Sequence, residues 1–405
     1  MWRYSRIPEL DLGDYAPLSD VPVSDAAQAD ALALDDDTSE LTTLAGRSAV
    51  VVVRNGRVTS VEIDPEAAAT GLEVGRLSEL DPSGDSFRSV TGEADTAFDL
   101  LHDACVADPV LVRVPAGTVV PAPVLVLHHT DAGQSATFPH LVVVAGENSE
   151  VVVHDHAGSG DVRALVLPVV ELRAGPGARL RYLNVQTLGP RVWQLGRQVS
   201  RVEGDAHLST SMVALGGDYA RLEIESVLAG KGSSGEMLAV YFGEGDQMHD
   251  FRTLQDHLAP RTTSNLLFKG AVQGHAHSVY TGLIHIGKQA AGVDAFQTNR
   301  NIKLSDGAWA ESVPNLEIEN NDVRCSHASA VGPVDEDQLY YLGSRGIPLR
   351  RAERLIVLGF FEEVLERLPV PAVVASLRRQ ISAKLDRREL DGAELDRRQL
   401  ETAPP

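Results

Sequence analysis

From Pro109 onward the chain is a succession of short apolar runs, rich in Val and Leu and cut by Gly, Pro, Asn or Asp. PVLVRVPAGTVVPAPVLVLHHT opens the series. Corner motifs then recur: AGENSEVVV from Ala145, AGPGARLRYL from Ala174, EGDAHLSTSMV from Glu203 and AGKGSSGEMLAVYF from Ala229. Their glycines, Gly146, Gly175, Gly204 and Gly232, stand about 29 residues apart, inside the roughly 20–50-residue range of stacked repeats. Each unit is strand, turn, strand. No helical pattern lies between, which excludes βαβ units. The pattern predicts a β-solenoid, a parallel β-helix whose coils bury alternate residues. A large antiparallel sandwich is punctuated in the same way and stays open on the pattern alone.

The flanks break this rhythm. Residues 1–48 are irregular, acidic and Pro-bearing, and read as an extended arm with a short helix over Asp25–Leu34. AVVVVRNGRVTSVEID (49–64) predicts a hairpin, because Asn55-Gly56 suits a type I′ turn between two β-branched runs. EADTAFDLLHDACVA (93–107) predicts a helix with Ala97, Leu100, Leu101, Ala104 and Cys105 on its apolar face, so Cys105 reads as core. After Gly332-Pro333, Asp335 caps a short helix with Gln338 three residues on, and Gly343 and Gly346 break it. Pro348 then starts a helix that is apolar around most of its circumference over 349–368, from Leu349 to Leu368. Such a helix needs cover on more than one side, part from the solenoid and part from another protein. Pro369 and Pro371 interrupt, Leu377, Ile381 and Leu385 follow at fourfold spacing, and the last residues read as frayed. The expected class is mainly β: a parallel β-helix core (109–334) flanked by an N-terminal mixed α/β region (1–108) and a C-terminal α-helical domain (335–405).

Composition narrows the function. The 405 residues carry a formal net charge of -21. So acidic a surface repels phosphate backbones and anionic lipid, so neither nucleic acid nor a membrane is an expected partner. No apolar run reaches membrane-span length and the first ten residues lack a signal-peptide layout, so the expected location is the cytoplasm. Cys105 and Cys325 are the only cysteines and give no disulfide framework. An ordinary iron–sulfur cluster uses about four thiolates, so this chain cannot enclose one with its own cysteines. No phosphate-cradling G-x-x-x-x-G-K-[ST] and no G-x-S-x-G elbow is present, so no bound nucleotide is expected.

The best candidate chemistry lies in NLEIENNDVRCSHASAVGP (315–333). Leu316 and Ile318 alternate with Glu317 and Glu319, predicting a half-buried strand, and Asn320-Asn321 supply a turn. Val323, Cys325 and His327 follow at a spacing of two and share one face if extended. Thiolate and imidazole together suit iron, zinc or copper. A buried Cys and a hydrogen-bonded His at the end of a β-stack give the same pattern. His275 and His277, on one strand face, with His285 nearby, form a second candidate metal cluster against ordinary strand histidines. His154 and His156, beside a Gly-rich corner, read as solvated.

The stretch NNDVRCSHASAVGPVDEDQLYYLGSRGI resembles the signature of the SufD branch of the SufB/SufD family, which serves the SUF system of iron–sulfur cluster assembly. The likeness extends through FKGAVQGHAHSVYTGLIHI (268–286) and DAFQTNRNIKLSDGAWAESVPNLEIENND (294–322). SufB-type chains carry a cysteine one coil earlier and a glutamate after the histidine; here that coil reads SDGAWAES and Ala328 follows His327. The resemblance implies a β-helix and a non-enzymatic scaffold subunit. It implies pairing with SufB as a heterodimer, docking of the SufC ATPase on the C-terminal helices, and self-pairing when isolated. It implies that His327, with Cys325, meets a transient iron–sulfur cluster or its precursors shared with the partner chain. Arg345, Gly346, Leu355, Ile356 and Phe360 are the expected partner-binding residues. A β-helix carbohydrate-active enzyme, or a metalloenzyme built on His275, His277 and His285, are the alternatives.

Overall fold

The computed structural model describes residues 4–18, 46–94 and 96–402, with side chains to 387. The helix expected over Asp25–Leu34 lies outside the described residues. Two parallel sheets face each other as the walls of a β-solenoid of about eight turns. One runs from Val110–Val114 through His140–Ala145, Val169–Ala174, Val192–Val202, Tyr219–Leu228, Met248–His257 and His277–Ile286 to Trp309–Ile318. The other runs from Ala49–Arg54 through Val124–Thr130, Glu150–Ser159, Arg179–Thr187, His207–Ala214, Ser234–Gly243, Thr263–Val272 and Val293–Lys303 to Val323–Pro333. Through the repeats the chain steps from one sheet to the other at each corner. The parallel solenoid thus replaces the sandwich alternative.

The first two of the periodic glycines have a packing cause. At Gly146 a Cβ would lie 2.7 Å from the backbone nitrogen of Ala116, and at Gly175 it would lie 2.9 Å from the carbonyl oxygen of Ala145. Successive corners touch backbone to backbone, so these positions exclude a side chain. Inside, the early coils are filled by aliphatic residues such as Val126, Val143 and Leu172. Later coils carry the rings of Tyr241, Phe251, Phe268 and Tyr280, with centroids 4.9, 5.6 and 5.4 Å apart in that order.

The chain closes the first end of the stack itself. Arg57–Ile63 folds back antiparallel on Ala49–Arg54, with Asn55 and Gly56 at positive φ as the hairpin requires. Glu73–Arg76 runs antiparallel to Val110–Val114. The short helices α1 (Pro65–Ala69) and α2 (Leu77–Leu80) bracket that strand, and Ala67, Leu72 and Val74 enter the core.

Helix α3 (Ala97–Cys105) begins with the capping box of Thr96 and Asp99. Its inward face differs from the expected one. Leu100 is 60% exposed and Ala104 is exposed, whereas Asp99 and His102 are buried. The surface beneath is mixed: Phe98, Leu101 and Cys105 pack against the cluster that includes Phe138, Leu165 and Leu167, and a polar chain runs beside it. His102 Nδ1 donates to the carbonyl of Leu167 at 2.9 Å, and its Nε2 lies 3.0 Å from His140 Nδ1. His140 Nε2 is 2.9 Å from Glu171, whose carboxylate also accepts the backbone N–H groups of Arg88, Val90 and Thr91. Burial alone raises the Glu171 carboxyl, but these donors outweigh it and hold it below the usual range. Cys105 is half-buried beside Phe98 and Leu101.

Three helices follow the solenoid: α4 (Glu336–Ser344), α5 (Leu349–Leu365) and α6 (Pro371–Thr402). Asp335 caps α4 by accepting from Gln338 N–H at 3.0 Å. Phe361, Val364 and Leu365 of α5 join Phe242 and Leu267 of the second sheet in one buried cluster with Leu377, Ile381 and Leu385 of α6. Lys384 locks α6 down through Glu244 at 2.9 Å, and burial pushes its ammonium down to about 8. The backbone stays helical to Thr402 rather than fraying at the expected point. Phe360 is half-buried under Lys269, whose ammonium sits 4.6 Å over the ring. No described helix is long and apolar enough to cross a membrane.

Buried histidines set the acid response of this fold. Burial pushes His102 and His154 down to about 3, and His249 and His257 down to about 4. Unfolded, each takes up a proton near pH 6.5. Below that pH the unfolded chain binds more protons than the folded one, so stability falls as pH drops toward 4. Each such histidine removes about 2 kcal/mol by pH 5. Urea unfolding is expected to show a clearly lower midpoint at pH 5 than at pH 7.5; an equal or higher midpoint contradicts this.

Candidate functional site

The last coil consists of Trp309–Ile318 and Val323–Pro333. Its turn is pinned by Asn320, whose Nδ2 donates to the carbonyl of Lys288 at 2.9 Å and whose Oδ1 accepts from Asp322 N–H at 2.9 Å. Both strands continue the register of the coil before, Ile284 to Leu316, Ile286 to Ile318, Ala295 to Cys325 and Gln297 to His327. Their side chains alternate as the earlier ones do, yet among the described residues nothing covers them. Ile284 and Ile286 are 0% exposed; Leu316, Ile318 and Val331, inward-facing one coil on, are 37, 43 and 41% exposed. The strand expected to be half-buried is therefore inward-facing but open, because no further coil stacks on it. The two strands are also the terminal members of their sheets, so each leaves one edge of backbone groups unpaired.

Cys325 and His327 lie on this open end and share the inward face, as their spacing predicts. Cys325 is half-buried, packed with Val323 against Ile284, Ile286, Ala290, Val293 and Ala295. Burial pushes its thiol up, so it is a protonated thiol at neutral pH and a ligand only once something displaces the proton. His327 is exposed above Gln297. Among the described residues no three His, Cys, Asp or Glu side chains gather to hold a metal. The pair offers two donors and leaves the rest of a coordination shell to be supplied from outside.

The other histidine candidates fall apart. His275 sits in a turn rather than on a strand, exposed and 3.8 Å from Asp246. His277 starts the next strand with its ring 5.5 Å from that of Trp309. His285 hydrogen-bonds Asp256 at 2.6 Å, which raises its pKa. The three do not converge on one point. His154 and His156 are not solvated: both are buried inside Glu150–Ser159. His156 reaches Thr187 at 3.2 Å, and the neighbouring Leu125, Leu127, Leu183 and Val185 belong to the cluster that includes α5 and α6.

A second exposed surface adjoins the open end in sequence. Helix α4 has no buried residue, and Tyr340 and Tyr341 are 80 and 57% exposed. Leu349 and Leu355 of α5 are 67 and 46% exposed. Arg345 caps α4 with its guanidinium 5.3 Å from the Tyr341 ring, and Gly346 takes positive φ in the turn. Of the expected partner-binding residues, Arg345, Gly346 and Leu355 lie on this surface, Ile356 is half-buried, and Phe360 sits beneath Lys269. Tyr340, Tyr341 and Leu349 are exposed on the same surface and stand outside the expected set.

Residues 128–360 match the family model described as SUF system FeS cluster assembly, SufBD core domain. An iron–sulfur cluster assembly SufBD family protein of Mycobacterium tuberculosis is 39% identical over 285 residues, 68% of this chain and 71% of that one. The iron–sulfur cluster assembly protein SufD of Bacillus subtilis is 30% identical over 70% of this chain and 66% of its own. A chloroplastic SufBD family protein of Arabidopsis thaliana is 24% identical over 95% of this chain and 73% of its own. The chain belongs to the SufBD family of iron–sulfur cluster assembly proteins. The SufBD core match takes in the whole open end, α4 and most of α5.

The open end makes a paired prediction for this SufBD chain. Ile286→Ala, under the last coil, should cost about 2–5 kcal/mol in urea unfolding. Ile318→Ala, at the same inward position one coil on, should cost under about 1 kcal/mol. Equal costs at the two positions contradict an uncovered end.

Proposed function

We propose that this chain is a SufD-type scaffold subunit that binds SufB across its open solenoid end and docks the SufC ATPase on α4 and α5. The observation that carries this is the uncovered last coil. A row of inward-facing apolar side chains left 37–43% exposed, beside two unpaired sheet edges, is a surface that demands a partner. A second β-solenoid meets both needs at once, since it adds strands to the edges and apolar residues to the face. The SufD of Bacillus subtilis and the SufBD core match support the same assignment.

Iron and sulfide are the cargo of such a site. His327 presents an imidazole at the rim, and Cys325 presents a thiol that loses its proton on binding a soft metal. Two donors fall short of the roughly four that a cluster takes, so the partner chain supplies the others. The chain itself does no catalysis in this account and binds no nucleotide. The exposed Tyr340, Tyr341, Leu349 and Leu355 give the ATPase an aromatic and aliphatic contact of the kind that anchors interfaces. Drawing on the cytoplasmic pool of iron and sulfur, the assembled complex builds a cluster and hands it on.

Co-expression with SufB and SufC followed by native mass spectrometry is expected to give a heteromeric complex. A chain that captures neither protein removes the proposal. His327→Ala should fold with an unchanged unfolding midpoint, because the imidazole is exposed, and should lower iron–sulfur cluster yield on the purified complex at least about tenfold; full yield removes the ligand role. Leu349→Asp combined with Tyr341→Ala should leave the SufB complex intact and strip the ATPase from it. Undiminished ATPase in that complex moves its docking site elsewhere.

A further inference from the structure

The coil beneath His327 holds a polar residue that the fold itself does not satisfy. Gln297, Asn299 and Asn301 all point into the lumen from Val293–Lys303. Two of them are paired: Asn299 Nδ2 donates to the Tyr241 hydroxyl at 2.9 Å, Asn301 Nδ2 donates to Asn299 Oδ1 at 2.9 Å, and the Tyr241 hydroxyl donates to Asn301 Oδ1 at 2.8 Å. Gln297 is only 1% exposed, yet among the described residues neither its Nε2 nor its Oε1 has a hydrogen-bond partner. Buried amides are rarely left so, because the lost hydration is not recovered. Packing does not require an amide here, since Leu266 fills the same position one coil back.

The surroundings keep room for it. Gly282 lies across the lumen, and a Cβ at 282 would come within 2.3 Å of both Gln297 Nε2 and the Tyr280 hydroxyl. One coil further on, His327 stacks over Gln297 and Ser312 over Tyr280, at the roughly 4.8 Å spacing of neighbouring strands. Ser312 Oγ is likewise buried without a partner. The mouth of the lumen therefore has a floor built from the Gln297 N–H groups one coil in and the Ser312 O–H on the last coil itself, which also carries Cys325 and His327.

We propose that Gln297 and Ser312 form the floor of the cargo site and donate hydrogen bonds to a sulfur anion, either hydrosulfide or the terminal sulfur of a persulfide. This rests on the assignment of the open end as the cluster-assembly site. The chemistry favours sulfur over other anions. Gln297 and Ser312 are neutral donors, Tyr280 stands beside Gln297 at Gly282, and the thiol of Cys325 shares the inward face of the coil above. N–H and O–H groups aimed at sulfur are the donors that tune iron–sulfur sites. The floor holds the sulfur, and the rim meets the iron.

The test is an anaerobic titration of the full chain, with nitrogen-15-labelled glutamine side chains, by sodium hydrosulfide, with sodium chloride as control. The Gln297 amide resonance, assigned by its loss in Gln297→Leu, is expected to shift saturably with hydrosulfide and not with chloride. Gln297→Leu and Ser312→Ala should each weaken hydrosulfide binding roughly tenfold or more, with the unfolding midpoint unchanged or raised. A resonance unmoved by hydrosulfide, or a Gln297→Leu chain that binds it as tightly, overturns the floor. If that variant still captures SufB with undiminished hydrosulfide affinity, the floor fails while the scaffold role stands. Sodium trisulfide as titrant separates persulfide-type sulfur from free hydrosulfide: tighter binding assigns the floor to the polysulfide chain end, weaker binding to the small anion.

Discussion

A parallel β-solenoid satisfies the backbone and side chains of each coil with the next coil, so it has no internal reason to stop. Each end leaves a rung of unpaired N–H and C=O groups and a row of inward-facing side chains without neighbours. Everything distinctive about this chain follows from how its two ends are treated. At the first, the 57–63 and 73–76 strands turn antiparallel and plug the core with Ala67, Leu72 and Val74. At the second, the polypeptide leaves the stack at Pro333 and folds its helices against the outer face of one sheet, so the last rung stays bare. Cys325 and His327 stand on that bare rung.

The outer faces of the two sheets contrast with the bare end. Elsewhere the protein covers exposed sheet generously. Helix α3 seals polar sheet through the chain of His102, His140 and Glu171, and α5 and α6 seal apolar sheet through Phe361, Leu377 and Ile381. Lys384 on Glu244 fixes the far end of that cover. At the last rung, by contrast, Leu316 and Ile318 stand open.

Much of this was legible in the sequence, and for a physical reason. Repeat architectures write their period into the chain because every coil meets the same steric demand; Gly146 and Gly175 recur because two backbones must touch there. The hairpin at Asn55-Gly56, the cap at Asp335 and the shared face of Cys325 and His327 are local consequences of dihedral preference and strand alternation. What stayed hidden depends on what lies across a gap. His154 beside glycines looked solvated, but the cluster that includes α5 and α6 buries it. On α3 the expected stripe held at Leu101 and Cys105 but not at Leu100, because part of its target is polar and takes Asp99 and His102 instead, which no helical period reveals. His275 and His277 share a parity but not a strand, since a turn intervenes. Gln297 carried no signal at all: its significance is that nothing pairs with it, and only the stacked neighbours show that.

The central claim, that the last rung is open in the free chain and closed by a partner solenoid, is tested most directly by hydrogen–deuterium exchange resolved to the 309–318 and 323–333 segments. In dilute isolated chain the outward-facing amides of both strands should exchange far faster than those of 277–286 and 293–303 one coil back. On addition of SufB they should become strongly protected while the first end of the stack is unchanged. Slow exchange at the last rung of the free chain, or no gain in protection in the complex, would contradict the account.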